Sequence, residues 1–241
     1  MARRILHIVT NAGQYDNGDS TGLWLSGLTT AWDRFEREGF EQDIASPRGG
    51  DVPLDPRSLK FPFRNESAKS WLNNPARMAL LKNTLPIRSI DPNTYDAICL
   101  AGGRGAMFDF THNFELHNII ASVHERGAIV ASVGHGYCGI LNVRLSDGSY
   151  LVNGKILTGP SWWEEKLALV SRKVPYNAEE LAKERGADYI RWRRPYRGSA
   201  AATNGLVTGH NNSSSGNLVA SSVCDELDRL DSLKAKGSEP L

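Results

Sequence analysis

Ala128-Ile129-Val130-Ala131-Ser132-Val133 runs directly into Gly134-His135-Gly136 and then into Tyr137-Cys138-Gly139-Ile140-Leu141. The first six residues are short, apolar or small, and bounded by glycine, which reads as a buried strand. The stretch after them reads as the start of a helix. A strand that breaks sharply into a helix is a nucleophile elbow, where the turn residue is held under strain with its side chain presented above the sheet. Here the turn residue is Gly134. The scaffold for an attacking group is present, and the attacking atom is not.

The rest of the chain alternates around that unit. Strands are expected at residues 5–10, 40–46, 97–101 and 206–208, and helices at 21–38, 75–85, 116–126, 164–170, 178–185 and 217–233. Leu23, Leu28, Ala31, Trp32 and Phe35 recur near helical spacing, and Gly39 supplies a C-terminal stop. Residues 150–157 read as a hairpin turning at Asn153-Gly154. Residues 47–75 break the rhythm with Pro47, Gly49, Gly50, Pro53, Pro56 and Pro62, an excursion suited to a lid or a dimer contact. Residues 234–241 read as a polar tail, leaving one domain over 1–233.

Alternating strands and helices imply an α/β fold with a doubly wound, mostly parallel sheet. Ligands bind such sheets beyond the carboxyl ends of the strands. Loops 11–20, 102–105 and 134–136 are expected to converge there.

Composition narrows the function classes. Twenty-eight basic residues nearly cancel 27 acidic ones, which gives no electrostatic case for a nucleic-acid or membrane partner. Arg191, Arg193 and Arg194 beside Trp192 read as a solvated surface. Cys99, Cys138 and Cys224 are too few and too scattered for a disulfide framework or a metal site. The apolar stretch after Arg3-Arg4 is too short for a signal peptide, and a cytoplasmic protein is expected.

Several ordered segments together resemble the ThiJ/PfpI superfamily, in its glyoxalase III and heat-shock-chaperone branch. They include Thr21-Gly22-Leu23-Trp24-Leu25, Ala101-Gly102-Gly103-Arg104-Gly105-Ala106, Val133-Gly134-His135-Gly136, Gly154-Lys155-Ile156-Leu157-Thr158-Gly159 and Val207-Thr208-Gly209-His210-Asn211. The resemblance implies a flavodoxin-like fold related to class I glutamine amidotransferases, commonly as a homodimer. It also implies an elbow cysteine followed by histidine, a first-helix glutamate and a later acidic residue.

Residue by residue, the cysteine falls on Gly134 and the first-helix glutamate on Gly27. The histidine is present as His135, and the later acid is Glu165, or Glu164 if the loop shifts by one. Gly102-Gly103 could supply backbone donors to an oxyanion, and Arg104 stands where many relatives have histidine. With no sulfur at residue 134, thiolate chemistry is not possible there. Cys138 lies one helical turn further on and does not simply replace it.

Three readings follow. The first is cofactor-free and metal-free acid–base chemistry by a His135–Glu165 pair on a bulky, carbonyl-containing small molecule. Loss of the two side chains would enlarge the pocket, with Trp24, Tyr137, Trp162 and Trp163 available for stacking and Asp16 as a replacement acid. The second is a non-catalytic binder or chaperone-like dimer. The third is glyoxalase III-like conversion of methylglyoxal to lactate.

Overall fold

The computed structural model describes residues 2–192 and 198–237. The elements run β1 (Arg4–Ile8), α1 (Leu25–Arg37), β2 (Glu41–Ser46), α2 (Glu66–Leu72), α3 (Pro75–Leu80), β3 (Leu85–Pro86) and β4 (Ala97–Leu100). Then come α4 (Ala106–Asp109), α5 (Phe114–Glu125), β5 (Ile129–Val133), a 3-10 turn (Gly134–Gly139), β6 (Ile156–Leu157) and α6 (Trp162–Leu167). The chain continues with α7 (Ala178–Glu184), β7 (Asp188–Tyr189), β8 (Ala200–Thr203), β9 (Leu206–Gly209) and α8 (Gly216–Gly237).

Seven strands form one sheet in the order β3-β2-β1-β4-β5-β9-β8, parallel except for the β8–β9 pair. The flavodoxin-like α/β class expected from the sequence is the class found. Strand periodicity builds the two layers. Ile5, Ala97, Cys99, Ile129, Ala131 and Val133 point to the face covered by α1 and α8. Leu6, Ile8, Ile98, Leu100 and Val130 point to the opposite face, against Phe110 and the α5 residues Leu116, Ile120 and Val123.

Some expectations need correction. The first helix begins at Leu25, not residue 21, because Gly22 takes a φ of +146° and Trp24 is extended. Residues 150–157 are not a hairpin turning at Asn153-Gly154. Tyr150 bridges back to Arg144 across the Asp147-Gly148 turn, while Ile156 and Leu157 pair in parallel with Asp188 and Tyr189. Leu151 and Val152 are fully buried and turn into the core instead of extending a strand. Residues 234–237 continue α8. Strand β8 was not anticipated; its Ala-Ala-Ala-Thr sequence lacks β-branched bulk except at the end. Arg193 and Arg194 lie outside the described residues.

The 47–75 excursion packs down on the domain. Val52, Ala68 and Trp71 join Leu23, Leu25, Leu28 and Trp32 in a third buried cluster. The Trp71 indole donates to Asp33 at 3.1 Å, and Arg57 clamps Asp55 through Nε and Nη2 at 3.1 and 2.7 Å. The segment forms a wall beside α1.

The start of α8 sits tightly on α1. A side chain at Gly216 would overlap Thr30 Oγ1 and come within 3.1 Å of the Gly27 carbonyl. That contact holds the preceding loop, residues 210–215, over the sheet's carboxyl edge. Replacing Gly216→Ala is expected to destabilise the protein by about 1–3 kcal/mol in urea unfolding through overpacking. Adding Thr30→Ala should recover most of that loss.

Candidate active site

Strand β5 delivers the site. Its last residue, Val133, is buried, and Gly134 then turns with a φ of +53° in the left-handed region. Glycine adopts this conformation at no steric cost. His135 follows and is 2% exposed. A cavity of about 310 Å³ opens there, lined by His135, Arg104, Glu165, Trp24, Phe63 and Asn212 among others.

Helix α6 chooses between the two candidate acids. Ser161 caps it, and Glu164 turns back so that its Oε2 accepts from Ser161 N at 2.8 Å and Oγ at 2.9 Å, completing a capping box. Its Oε1 lies 3.1 Å from His210 Nε2. Glu165, the next residue, faces the elbow. Its Oε1 lies 3.0 Å from His135 Nε2, and Arg104 grips it in a fork, Nε to Oε2 at 2.7 Å and Nη2 to Oε1 at 3.1 Å. Burial opposes ionisation of Glu165, but attraction to the His135 ring when that is protonated and to Arg104, with hydrogen bonds from both, outweighs it. The carboxyl is held down to about 2.

The other ring nitrogen of His135 faces Asn212. Asn212 Oδ1 accepts from the His135 backbone N–H at 3.0 Å, and its Nδ2 donates to His135 Nδ1 at 2.9 Å. The two bonds fix each other. With Oδ1 on a backbone donor, only the amide NH₂ can face the ring, so Nδ1 accepts and the ring proton sits on Nε2, toward Glu165. The imidazole is therefore neutral and oriented, with its lone pair held by an amide.

Asn212 also answers the question of the two glycines. A side chain at Gly134 would overlap Asn212 Oδ1, and one at Gly27 would lie 3.1 Å from the Asn212 carbonyl. The expected enlargement is overturned: the space left at Gly27 and Gly134 is filled by Asn212, so neither residue lines the cavity. Gly102 and Gly103 do not line it either. Each is a point of close approach, Gly102 to Asn212 Oδ1 and Val133 O, Gly103 to Gly22 O and Trp24 N.

The remaining expectations divide. Trp24 lines the cavity, edge-on to Phe63 with ring centroids 5.3 Å apart. Tyr137 is fully buried under the elbow, Trp162 packs on the core and Trp163 is half exposed. None of these three lines the cavity, and neither does exposed Asp16. Cys138 is buried, and burial pushes its thiol up to about 12, which makes it inert as a relocated nucleophile. Among the described residues no cluster could hold a metal ion, and no helix is long and apolar enough to cross a membrane. Sequence reading missed Asn212, Arg57 and Phe63. The signal for Asn212 was the glycine pair itself, because an interior void at packing density has to be filled.

No family model matches the chain. A Schizosaccharomyces pombe protein named "Putative glutathione-independent glyoxalase hsp3105" is 30% identical over 179 residues, covering 72% of this chain and 71% of the relative. Glyoxalase 3 of Candida albicans is 26% identical, covering 82% and 86%. The crystal structure of the Candida albicans glyoxalase III superposes with a TM-score of 0.83 at 26% identity, over 93% of this chain and 97% of that one. The 24 kDa rapid encystment protein of Francisella tularensis superposes with a TM-score of 0.88 at 26% identity, over 93% and 99%.

Two outcomes follow from this geometry. Gly134→Cys should lower stability in thermal melts by about 1–3 kcal/mol, from the overlap with Asn212 and the left-handed backbone. Asn212→Gly in the same chain should restore most of it. The Glu165 carboxyl has a folded value near 2 against 4.5 for the free group, so its contribution is complete above about pH 4.5. That contribution drains away as pH falls toward 2, because the unfolded chain takes up the proton first. Urea midpoints across that window should fall with acid, and Glu165→Gln should flatten the slope while lowering the plateau.

Proposed function

The chain belongs to the DJ-1/ThiJ/PfpI family, and from that premise we propose that it converts small α-oxoaldehydes to 2-hydroxy acids without a covalent thiol intermediate. The curated relatives carry glyoxalase names, which supports this substrate class. The observation that carries the reading is the neutral His135 ring, backed by Glu165 at 3.0 Å and with its lone pair at Nδ1. The filled space around Gly134 and Gly27 favours a small carbonyl compound over a bulky one.

The chemistry balances without sulfur. An α-oxoaldehyde in water forms its gem-diol, R–CO–CH(OH)₂. Nδ1 removes the proton from the diol carbon, giving the enolate R–C(O⁻)=C(OH)₂, and the resulting imidazolium is stabilised by Glu165 through Nε2–H. Returning that proton to the neighbouring carbon, with one diol hydroxyl proton passing to the former ketone oxygen, yields R–CH(OH)–COOH. The His135 backbone N–H, now occupied by the Asn212 carbonyl, would serve the substrate oxygen where negative charge develops.

A second reading is a ligand-binding protein with no turnover, and the Asn212 amide on Nδ1 is the observation that favours it. Methylglyoxal in D₂O, followed by proton NMR, separates the two. Turnover should give lactate, with protium at C2 where the abstracted proton returns directly and deuterium where Nδ1 exchanges with solvent first, and His135→Gln should reduce the rate at least 100-fold. Asn212→Ala should raise it. Unchanged methylglyoxal in all three proteins would leave only the binding role.

A further inference from the structure

The cavity's spare hydrogen-bonding capacity is one-sided. Its acidic oxygens are spent: Glu165 on Arg104 and His135, Glu164 on Ser161 and His210. Its donors are not. Trp24 and Asn211 both line the cavity and are both 6% exposed, and Trp24 Nε1 and Asn211 Nδ2 are buried without a partner. The orientation of Asn211 is not ambiguous, because its Oδ1 accepts from Ser213 N, Ser214 N and Ser214 Oγ. The NH₂ end is therefore the free one.

Arg57 lines the same cavity. Its Nε and Nη2 hold Asp55, and Nη2 also reaches Tyr15 Oη at 2.7 Å. Nη1 donates to no protein atom among the described residues. The two buried donors, Trp24 Nε1 and Asn211 Nδ2, have lost water without gaining a partner. One cavity with two buried, unpartnered donors, beside a partly exposed guanidinium that is ion-paired with Asp55 but has Nη1 unused, suits an acceptor-rich, anionic group.

We propose that the substrate is an α-oxoaldehyde bearing a carboxylate away from its reacting carbonyl, and that Trp24, Asn211 and Arg57 hold that carboxylate. The proposal rests on the oxoaldehyde reading for the reacting end only. Size agrees with it. A cavity of about 310 Å³ has room for more than a three-carbon oxoaldehyde. A chain such as 4,5-dioxopentanoate fits within it.

Binding can be tested apart from chemistry with levulinate, a 4-oxo acid with no aldehyde to convert, against its methyl ester. Affinity is read from the indole N–H signal that Trp24→Phe removes and from tryptophan fluorescence. Levulinate should bind at least tenfold more tightly than the ester. Trp24→Phe and Arg57→Gln should each cut that preference at least threefold, the first without removing any charge. Equal affinity for acid and ester would overturn the proposal, as would full preference in both variants. Preference for the acid with no turnover of methylglyoxal or 4,5-dioxopentanoate would sink the oxoaldehyde reading and leave the anion site standing.

Discussion

The amide of Asn212 holds the site together. It bonds to residue 135 twice, once at the backbone N–H and once at the ring, and so selects the imidazole tautomer. It also fills the space at the elbow, which is possible only because Gly134 and Gly102 have no Cβ to oppose it. The loop carrying Asn212 is set by Gly216 lying on Thr30, so one glycine contact between α1 and α8 reaches the reacting group. These residues function as a unit, and non-additive effects are expected when they are changed singly or together.

A neutral imidazole keeps the buried electrostatics balanced. Arg104 and Glu165 are both less than a tenth exposed and cancel one another. A resting imidazolium would add an uncompensated charge to a dry cluster, which is costly. The Asn212 amide leaves Nδ1 as an acceptor in this arrangement. Charge would appear on the ring only when a substrate proton arrives, and Glu165 is already ionised and aligned to meet it. That is preorganisation in the physical sense: the dipoles point the right way before the reaction begins.

The strand into the elbow was readable because its apolar run is bounded so clearly by glycine, and the α/β class followed from alternation alone. The Glu164 or Glu165 ambiguity could not be settled by counting. It is settled by the Ser161 cap, which turns Glu164 back on its own helix and leaves Glu165 to the elbow. Asn212 was hidden for a different reason. An Asn-Asn-Ser-Ser-Ser loop looks like any polar turn, and nothing local reveals that a partner lies 77 residues earlier at His135. Reading the missing side chains as empty space was the error, since interiors refill wherever a neighbour can reach. Arg57 and Phe63 were likewise masked by the proline-rich excursion, whose irregular sequence carries no period to say which residues face inward.

The resting clamp looks inhibitory, yet its geometry makes it exchangeable. Breaking a neutral hydrogen bond in favour of an equivalent one costs little, because the net worth of each is about 0.5–1.5 kcal/mol. Asn212 presents a carbonyl to the His135 N–H and a donor to Nδ1. A gem-diol beside a ketone presents the same two functions: an oxygen to accept from the backbone and a hydroxyl or C–H to face the lone pair. Substrate entry would then replace one set of bonds with a matching set instead of opening an unsatisfied pocket. A ligand without both functions could not repay the lost amide bonds, so the residue that closes the site would also discriminate among its ligands.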